Sequence, residues 1–410
     1  MSKPTIRVNA GIYDLVWLPE QVAIRIDRVR ENHEHVTGEV TVKSLMPGVP
    51  SHLHQARLNL TSTVSRRTLA KVLEERNPEA IWEDIVEQTC VEVLQIYRQG
   101  EPVVEIHEVK PREGPRYRLA PLLLEGHPNY CYGEGSAGKS YLAAFFAVLV
   151  SSGAHRCGLD PIPGNVLYLD YEMSGEEMQE RILAIEEGLG EADCSRIQYR
   201  YCVQPFANEI ETIQAIVAEQ EIELVIIDSA GPALGGEKGD PKDPVIEYFR
   251  ALRSLRCSSL TLDHVTKDRD SRKSPYGSVY KFNLARNLFE LRSQQEPGED
   301  SIQMGLYHRK ANFGKLIPPM GLTATFTPPA TIFTTCSVRD IPALAEGMGI
   351  KERMKTSLME AGTLSVNQIA EELDKPADTI RKILNRYRGK VFTQVAERPE
   401  GLWAVLQKEQ

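Results

Sequence analysis

Eight consecutive residues, Gly133-Glu134-Gly135-Ser136-Ala137-Gly138-Lys139-Ser140, fit the spacing G-x-x-x-x-G-K-[ST]. That pattern points to chemistry on a nucleoside triphosphate. The three glycines let the backbone curl so that the N–H groups of Glu134, Ser136, Ala137 and their neighbours converge on one anion. Lys139 is expected to reach the β- and γ-phosphates and Ser140 to hold Mg²⁺. The flanks agree. Pro128-Asn129-Tyr130-Cys131-Tyr132 reads as a short buried strand entering the loop, and Tyr141 to Val150 as a buried helix leaving it, whose N-terminal end would add to the anion site. A plain Gly/Ser turn would not require every fixed position to be filled between a strand and a helix.

Two further acidic positions could serve the same chemistry. Asp228 closes the apolar run Glu223-Leu224-Val225-Ile226-Ile227, where a carboxylate can hold a water on a hard cation. The competing reading is a turn residue after a strand. Glu172 lies just past the run Asn165 to Asp170, and a carboxylate there can orient and deprotonate an attacking water. Asp170 competes for that role, and a solvated glutamate ahead of a helix is the plainer alternative.

These residues need a scaffold that brings strand ends together. After the first helix, strands are expected at 165–170, 196–201, 223–228 and 259–264. Helices are expected from Ser174 to about Gly188, over 209–219 and over 245–255. Ser174 with Glu177 three residues later forms a capping-box pattern, which opens the first of these helices. Such alternation predicts an α/β core with a mostly parallel, doubly wound sheet and ligands at the carboxyl ends of its strands.

Residues 1–119 read as a small α+β domain with a linker. Strands are expected at 22–29, 38–43 and 57–62, with a helix capped by Ser65 and another over Pro78 to Gln99. The pairs His33/His35 and His52/His54 have metal-like spacing but no accompanying ligand set, and read as surface histidines. The Pro- and charge-rich stretch 108–117 is a strap leading to a core over 120–338. Residues 345–410 predict three helices (352–361, 366–373, 376–388) and a hairpin (391–395 with 402–406), in the order of a winged helix-turn-helix. Ser365 and Gln368 cap its second helix. Lys375, Arg381, Lys382, Arg386, Arg388 and Lys390 on or beside the third suit duplex DNA backbone; a protein-docking face is the alternative.

The chain has 410 residues, 41% apolar and 26% charged, with a net charge of −9. Nucleic-acid binding must therefore come from local patches. No apolar run has the length of a membrane span, so no membrane partner is expected. The seven cysteines are scattered without a C-x-x-C pair, which fits a reducing, cytoplasmic setting.

The ordered set of motifs resembles the RecA-like ATPases, and within them the RepA-like and DnaB-like ring helicases and their KaiC-like relatives, over about residues 120–330. It comprises Gly133–Ser140, Tyr168-Leu169-Asp170-Tyr171-Glu172-Met173-Ser174, Leu224–Ser229, Leu262-Asp263-His264-Val265-Thr266-Lys267, Tyr276-Gly277-Ser278 and His308-Arg309-Lys310-Ala311-Asn312-Phe313-Gly314. The resemblance implies a RecA-like fold, ATP and Mg²⁺ as cofactors, and an oligomeric ring such as a hexamer. It implies Glu172 as the catalytic glutamate and His264 as a sensor of the γ-phosphate. It implies Arg309 and Lys310, or Arg286 in their place, as cations reaching the neighbouring subunit's site. It also implies that the loop after the His264 strand, with Lys267, Arg269, Arg272 and Lys273, touches single-stranded DNA, although Asp268 and Asp270 blunt its charge and no aromatic lies within it. A DNA-translocating ATPase is the leading expectation. A non-translocating ATP-dependent switch and a small-molecule kinase are the alternatives.

Overall fold

The computed structural model describes residues 2–9, 11–32, 35–100, 103–109, 117–190, 193–235, 242–265, 279–345, 347–396 and 401–406. The chain divides into two compact units, one of residues 1–115 with 206–221 and the other of 116–205 with 222–410.

The first unit is built on an antiparallel meander of β1 (Thr5–Asn9), β2 (Ile12–Trp17), β3 (Val22–Asn32), β4 (His35–Ser44) and β5 (His52–Asn59). The alternating burial of β2 and β4 gives the sheet one apolar face. That face packs against α1 (Thr63–Arg76) and α2 (Trp82–Gln99) through Leu15, Trp17, Ile24, Val42, Leu69, Ile85 and Val93. The third expected strand lies earlier than 57–62, because Ser62 rather than Ser65 caps α1, its hydroxyl accepting from the Ser65 N–H. Helix α2 begins at Trp82, not Pro78, and the Trp82 indole donates to the Asn77 carbonyl at 2.6 Å. The His52/His54 pair lies on β5, with no ligand cluster around it among the described residues. His33 lies outside them.

The second unit begins with β6 (Tyr117–Ala120) and β7 (Leu123–Leu124), then β8 (Pro128–Gly133) and α3 (Lys139–Ser152). Next come β9 (Asp160–Pro161), β10 (Asn165–Asp170), α4 (Gly175–Leu189) and β11 (Ile197–Tyr201). Helix α5 (Ile210–Glu219), grouped with the first unit, precedes β12 (Ile222–Asp228), α6 (Ala230–Leu234), α7 (Lys242–Ser254) and β13 (Ser258–His264). After α8 (Val279–Leu284) the chain forms β14 (Asn287–Gln294), β15 (Ser301–Ala311), β16 (Met320–Thr327) and β17 (Ala330–Cys336).

One nine-stranded sheet takes the order β11-β10-β12-β13-β8-β14-β15-β16-β17. Pairing is parallel from β11 to β14 and antiparallel from β14 to β17. This is the expected doubly wound, mostly parallel sheet, with an antiparallel extension that the sequence pattern did not disclose. β8 and β12 are buried along almost their whole length, as central strands covered on both faces are. Helix α3 is apolar all round because Leu142 to Val150 are all buried in the main core.

After α9 (Pro342–Ala345) come α10 (Ile350–Ala361), β18 (Leu364–Ser365), α11 (Val366–Glu372), α12 (Ala377–Arg386), β19 (Phe392–Ala396) and β20 (Leu402–Val405). Three helices, α10 to α12, and the β19–β20 hairpin fill this segment. Met354, Ile369, Ile380, Leu384, Phe392 and Trp403 form its core. Ser365 and Gln368 make the capping box of α11.

Candidate functional site

Register brings the strand ends together. Asp170 pairs with Asp228 across β10 and β12, and His264 with Gly133 across β13 and β8. The phosphate-loop residues therefore share one sheet edge with the acidic positions and the histidine. Two glycines of the loop are sterically required. A side chain at Gly133 would begin 2.5 Å from the Leu291 carbonyl, and Gly138 caps α3 with φ +82°, a backbone region costly for any L side chain.

At that edge lies a cavity of about 410 Å³ lined by Ser136 to Tyr141, Glu172, Arg181, Asp228, His264, Gln295, Ile302 and Phe326. Lys139 is buried, and its ammonium donates to the carbonyls of Gly133 (3.2 Å) and Glu134 (2.8 Å). Burial lowers its pKa, while nearby groups that include Asp228 and Glu172 pull the other way. Asp228 is 4% exposed, accepts from Tyr168 Oη at 2.9 Å and is hydrogen-bonded to Ser140. Burial raises its pKa, Ser140 and Tyr168 oppose the rise, and Asp170 and Glu172 add to it.

Glu172 and Asp170 are separated by geometry. The fully buried Asp170 accepts the backbone N–H groups of Glu172 (2.9 Å) and Met173 (3.0 Å) on Oδ1. It builds the turn and does not line the cavity. Glu172 does line it. Its Oε1 accepts from Ser229 Oγ at 2.5 Å and lies 3.8 Å from His264 Nε2. The Ser174–Glu177 capping box opens α4 directly after this turn.

The expected cations Arg309 and Lys310 do not line this cavity. Arg309 donates to the buried Glu290 carboxylate (Nε to Oε2, 2.7 Å) and to the Gly347 carbonyl (2.7 Å). Lys310 donates to the carbonyls of Phe282, Asn283 and Ala285, each at 2.8 Å. Arg286 is exposed. Lys267, Arg269, Arg272 and Lys273, and the Tyr276-Gly277-Ser278 motif, lie outside the described residues.

The cavity has a second wall that no sequence motif announced. The Arg181 guanidinium sits 4.1 Å over the Tyr141 ring, and Tyr141 meets Phe326 edge-on at 4.9 Å. Nε and Nη1 of Arg181 are buried without a hydrogen-bond partner among the described residues. A flat aromatic and cationic wall of this kind suits a nucleobase. Arg181 stands on α4, nine residues after Glu172, and carries no motif of its own. Ile302 and Phe326 come from the antiparallel extension, and Gln295 from the loop between β14 and β15.

On α12, Ile380 and Leu384 face inward while Arg381, Lys382 and Arg386 are exposed. Arg381 pairs with Asp378 at 2.5 Å, and the Arg388 guanidinium lies 5.7 Å from the Trp403 ring. All seven cysteines are free thiols. No helix among the described residues is long and apolar enough to cross a membrane.

Residues 98–270 match a family described as AAA domain. Among solved structures the chain is similar to the KaiC-like protein from the hyperthermophilic archaeon Pyrococcus horikoshii OT3. The identity is 14%, over 52% of this chain and 91% of that one, with a TM-score of 0.39. No curated protein matches the chain. The family match and the loop geometry together support a RecA-like phosphate-loop ATPase core.

Proposed function

We propose that the chain is an ATP-hydrolysing motor acting on DNA, a RepA-like ATPase that works as a ring with sites between subunits. The observation that carries the reading is the convergence of Lys139, Ser140, Asp228, Glu172 and His264 on one cavity at the phosphate loop. The donor set fits a hard divalent cation. The Ser140 hydroxyl and Asp228 carboxylate are adjacent oxygens, and Asp228 sits in an acidic cluster that such a cation would relieve. Bound Mg²⁺ supplies charge neutralisation at the phosphates.

The remaining roles fall to the chain's own groups. The N–H groups of Gly133 to Ser140 cradle the phosphates, with Lys139 as their counter-charge. Glu172, aimed by the Asp170 turn and the Ser229 hydroxyl, takes a proton from the attacking water. His264 reads the γ-phosphate beside it. Arg309 or Lys310 reaches the neighbouring subunit's site. Lys267, Arg272 and Lys273 meet single-stranded DNA, and Arg381, Lys382 and Arg386 meet duplex backbone.

A second reading, a non-translocating ATP-dependent switch, is favoured by one observation: Arg309 and Lys310 are both engaged within their own subunit. The ATPase rate with and without single-stranded DNA, with mass in solution recorded in ATP, tests the motor. Strong stimulation together with a ring-sized assembly is expected. No stimulation from a monomer or dimer transfers the assignment to the switch.

A further inference from the structure

We propose that Lys281 is a positioning residue for hydrolysis: its buried ion pair with Asp263 sets the strand end that carries His264, and α8 links that strand end to Lys310. The proposal rests on the reading of the loop cavity as an ATPase site.

The side chains of Asp263 and Lys281 are 2% and 5% exposed and 2.9 Å apart. The carboxylate oxygen that accepts from Lys281 also accepts from Tyr130 Oη at 2.8 Å, and the other accepts the His264 N–H at 2.9 Å. One carboxylate therefore ties together β8, which leads into the phosphate loop, β13, which ends at His264, and α8. A buried ion pair is weak evidence for stability, because apolar residues of similar volume often fill such a site as well or better. Its directional bonds do fix the place of the next residue. That residue is His264, 3.8 Å from Glu172.

The other end of α8 is held as firmly. Lys310 has three donors, and three carbonyls at the end of the helix, each at 2.8 Å, take them. A six-residue helix is thus pinned at Lys281 to the sensor strand and at its last carbonyls to β15. The path from Glu172 through His264, Asp263, Lys281 and α8 to Lys310 is contiguous, and chains of packed and hydrogen-bonded groups of this kind can carry coupling. On this reading Lys310 is a cap acting inside its own subunit.

The test compares Lys281→Met, Lys281→Arg and Lys310→Ala by ATP affinity, single-turnover hydrolysis and melting. Positioning predicts affinity within about threefold of wild type, hydrolysis at least ~10-fold slower, and partial recovery in Lys281→Arg. If Lys281→Met does not fold, the double variant Asp263→Asn/Lys281→Met, which removes the same bond without leaving a buried charge unpaired, carries the same readout. Unchanged hydrolysis with only a lower melting temperature overturns the proposal. Each variant is then mixed with Lys139→Ala subunits. Lys281→Met and Lys310→Ala should stay slow, because the lesion lies in their own site, and recovery of Lys310→Ala would overturn the capping role. A wild-type chain without ATPase activity removes the function reading and this proposal together. Normal wild-type turnover alongside an unaffected Lys281→Met removes this proposal alone.

Discussion

A group that takes a proton from water must reach the water, and at this sheet edge only one of two neighbouring carboxylates lines the cavity. Asp170 is consumed in the turn, whereas Glu172 stands in the cavity with Ser229 and His264 beside it. Glu172→Gln should keep ATP binding and slow hydrolysis by about 10²–10⁴-fold. Normal turnover in that variant removes the assignment. Lys139→Ala should instead lose tight nucleotide binding, measured directly with a fluorescent analogue. Asp228 makes a different prediction. Burial raises its folded-state pKa. Its charged form therefore penalises the native state once the pH exceeds that raised value, and the penalty vanishes below the ordinary carboxylate range. Asp228→Asn should melt higher than wild type near pH 8, with an advantage that shrinks on acidification, while losing Mg²⁺-dependent hydrolysis. A gain of ~1 kcal/mol would appear as about 2–4 °C in a larger domain. An equal or lower melting point at pH 8 would show that the buried charge is already compensated.

Helix α12 makes its prediction as a unit. With Ile380 and Leu384 buried and Arg381, Lys382 and Arg386 exposed, charge can be removed from it without touching the core. The triple change Arg381→Ala, Lys382→Ala and Arg386→Ala should weaken duplex binding across all sequences and flatten its salt dependence by about 1 for each phosphate no longer neutralised. Unaltered duplex binding with a correctly melting domain would point to a protein partner. The elements that were legible in the sequence are those with local signals: the glycine loop, the apolar runs of β10 and β12, and the capping boxes at Ser174 and Ser365. The antiparallel strands β14–β17 were not, although they supply Ile302 and Phe326 to the cavity, and the β14–β15 loop supplies Gln295. Their burial pattern is set by a neighbouring strand and not by a local period. Glu290 shows why. A charged residue inside a buried strand reads as an exposed position until Arg292 and Arg309 are seen to pair with it. Arg181 escaped for the same reason, since its place over Tyr141 is a contact between two helices.

Taken across the whole molecule, the strand that presents the phosphate loop lies between two that come much later in the chain. β8 ends at Gly133, yet its neighbours in the sheet are β13 and β14, and Gly133 pairs with Leu291, whose carbonyl leaves no room for a side chain at that position. The match to the AAA domain family ends at residue 270, before that second neighbour begins. A chain cut after Arg286 should carry every residue of the loop motif and still fail to bind nucleotide, whereas one extended to Cys336 should bind it. Nucleotide retained by the shorter chain would mean that β8 seats without β14. During synthesis, then, the loop emerges from the ribosome well over a hundred residues before its site can close. Through that interval α3, apolar on every side, and β8, buried along its whole length in the finished fold, have no completed sheet to cover them. A burden on chaperones while the chain is being made is built into the order of its strands.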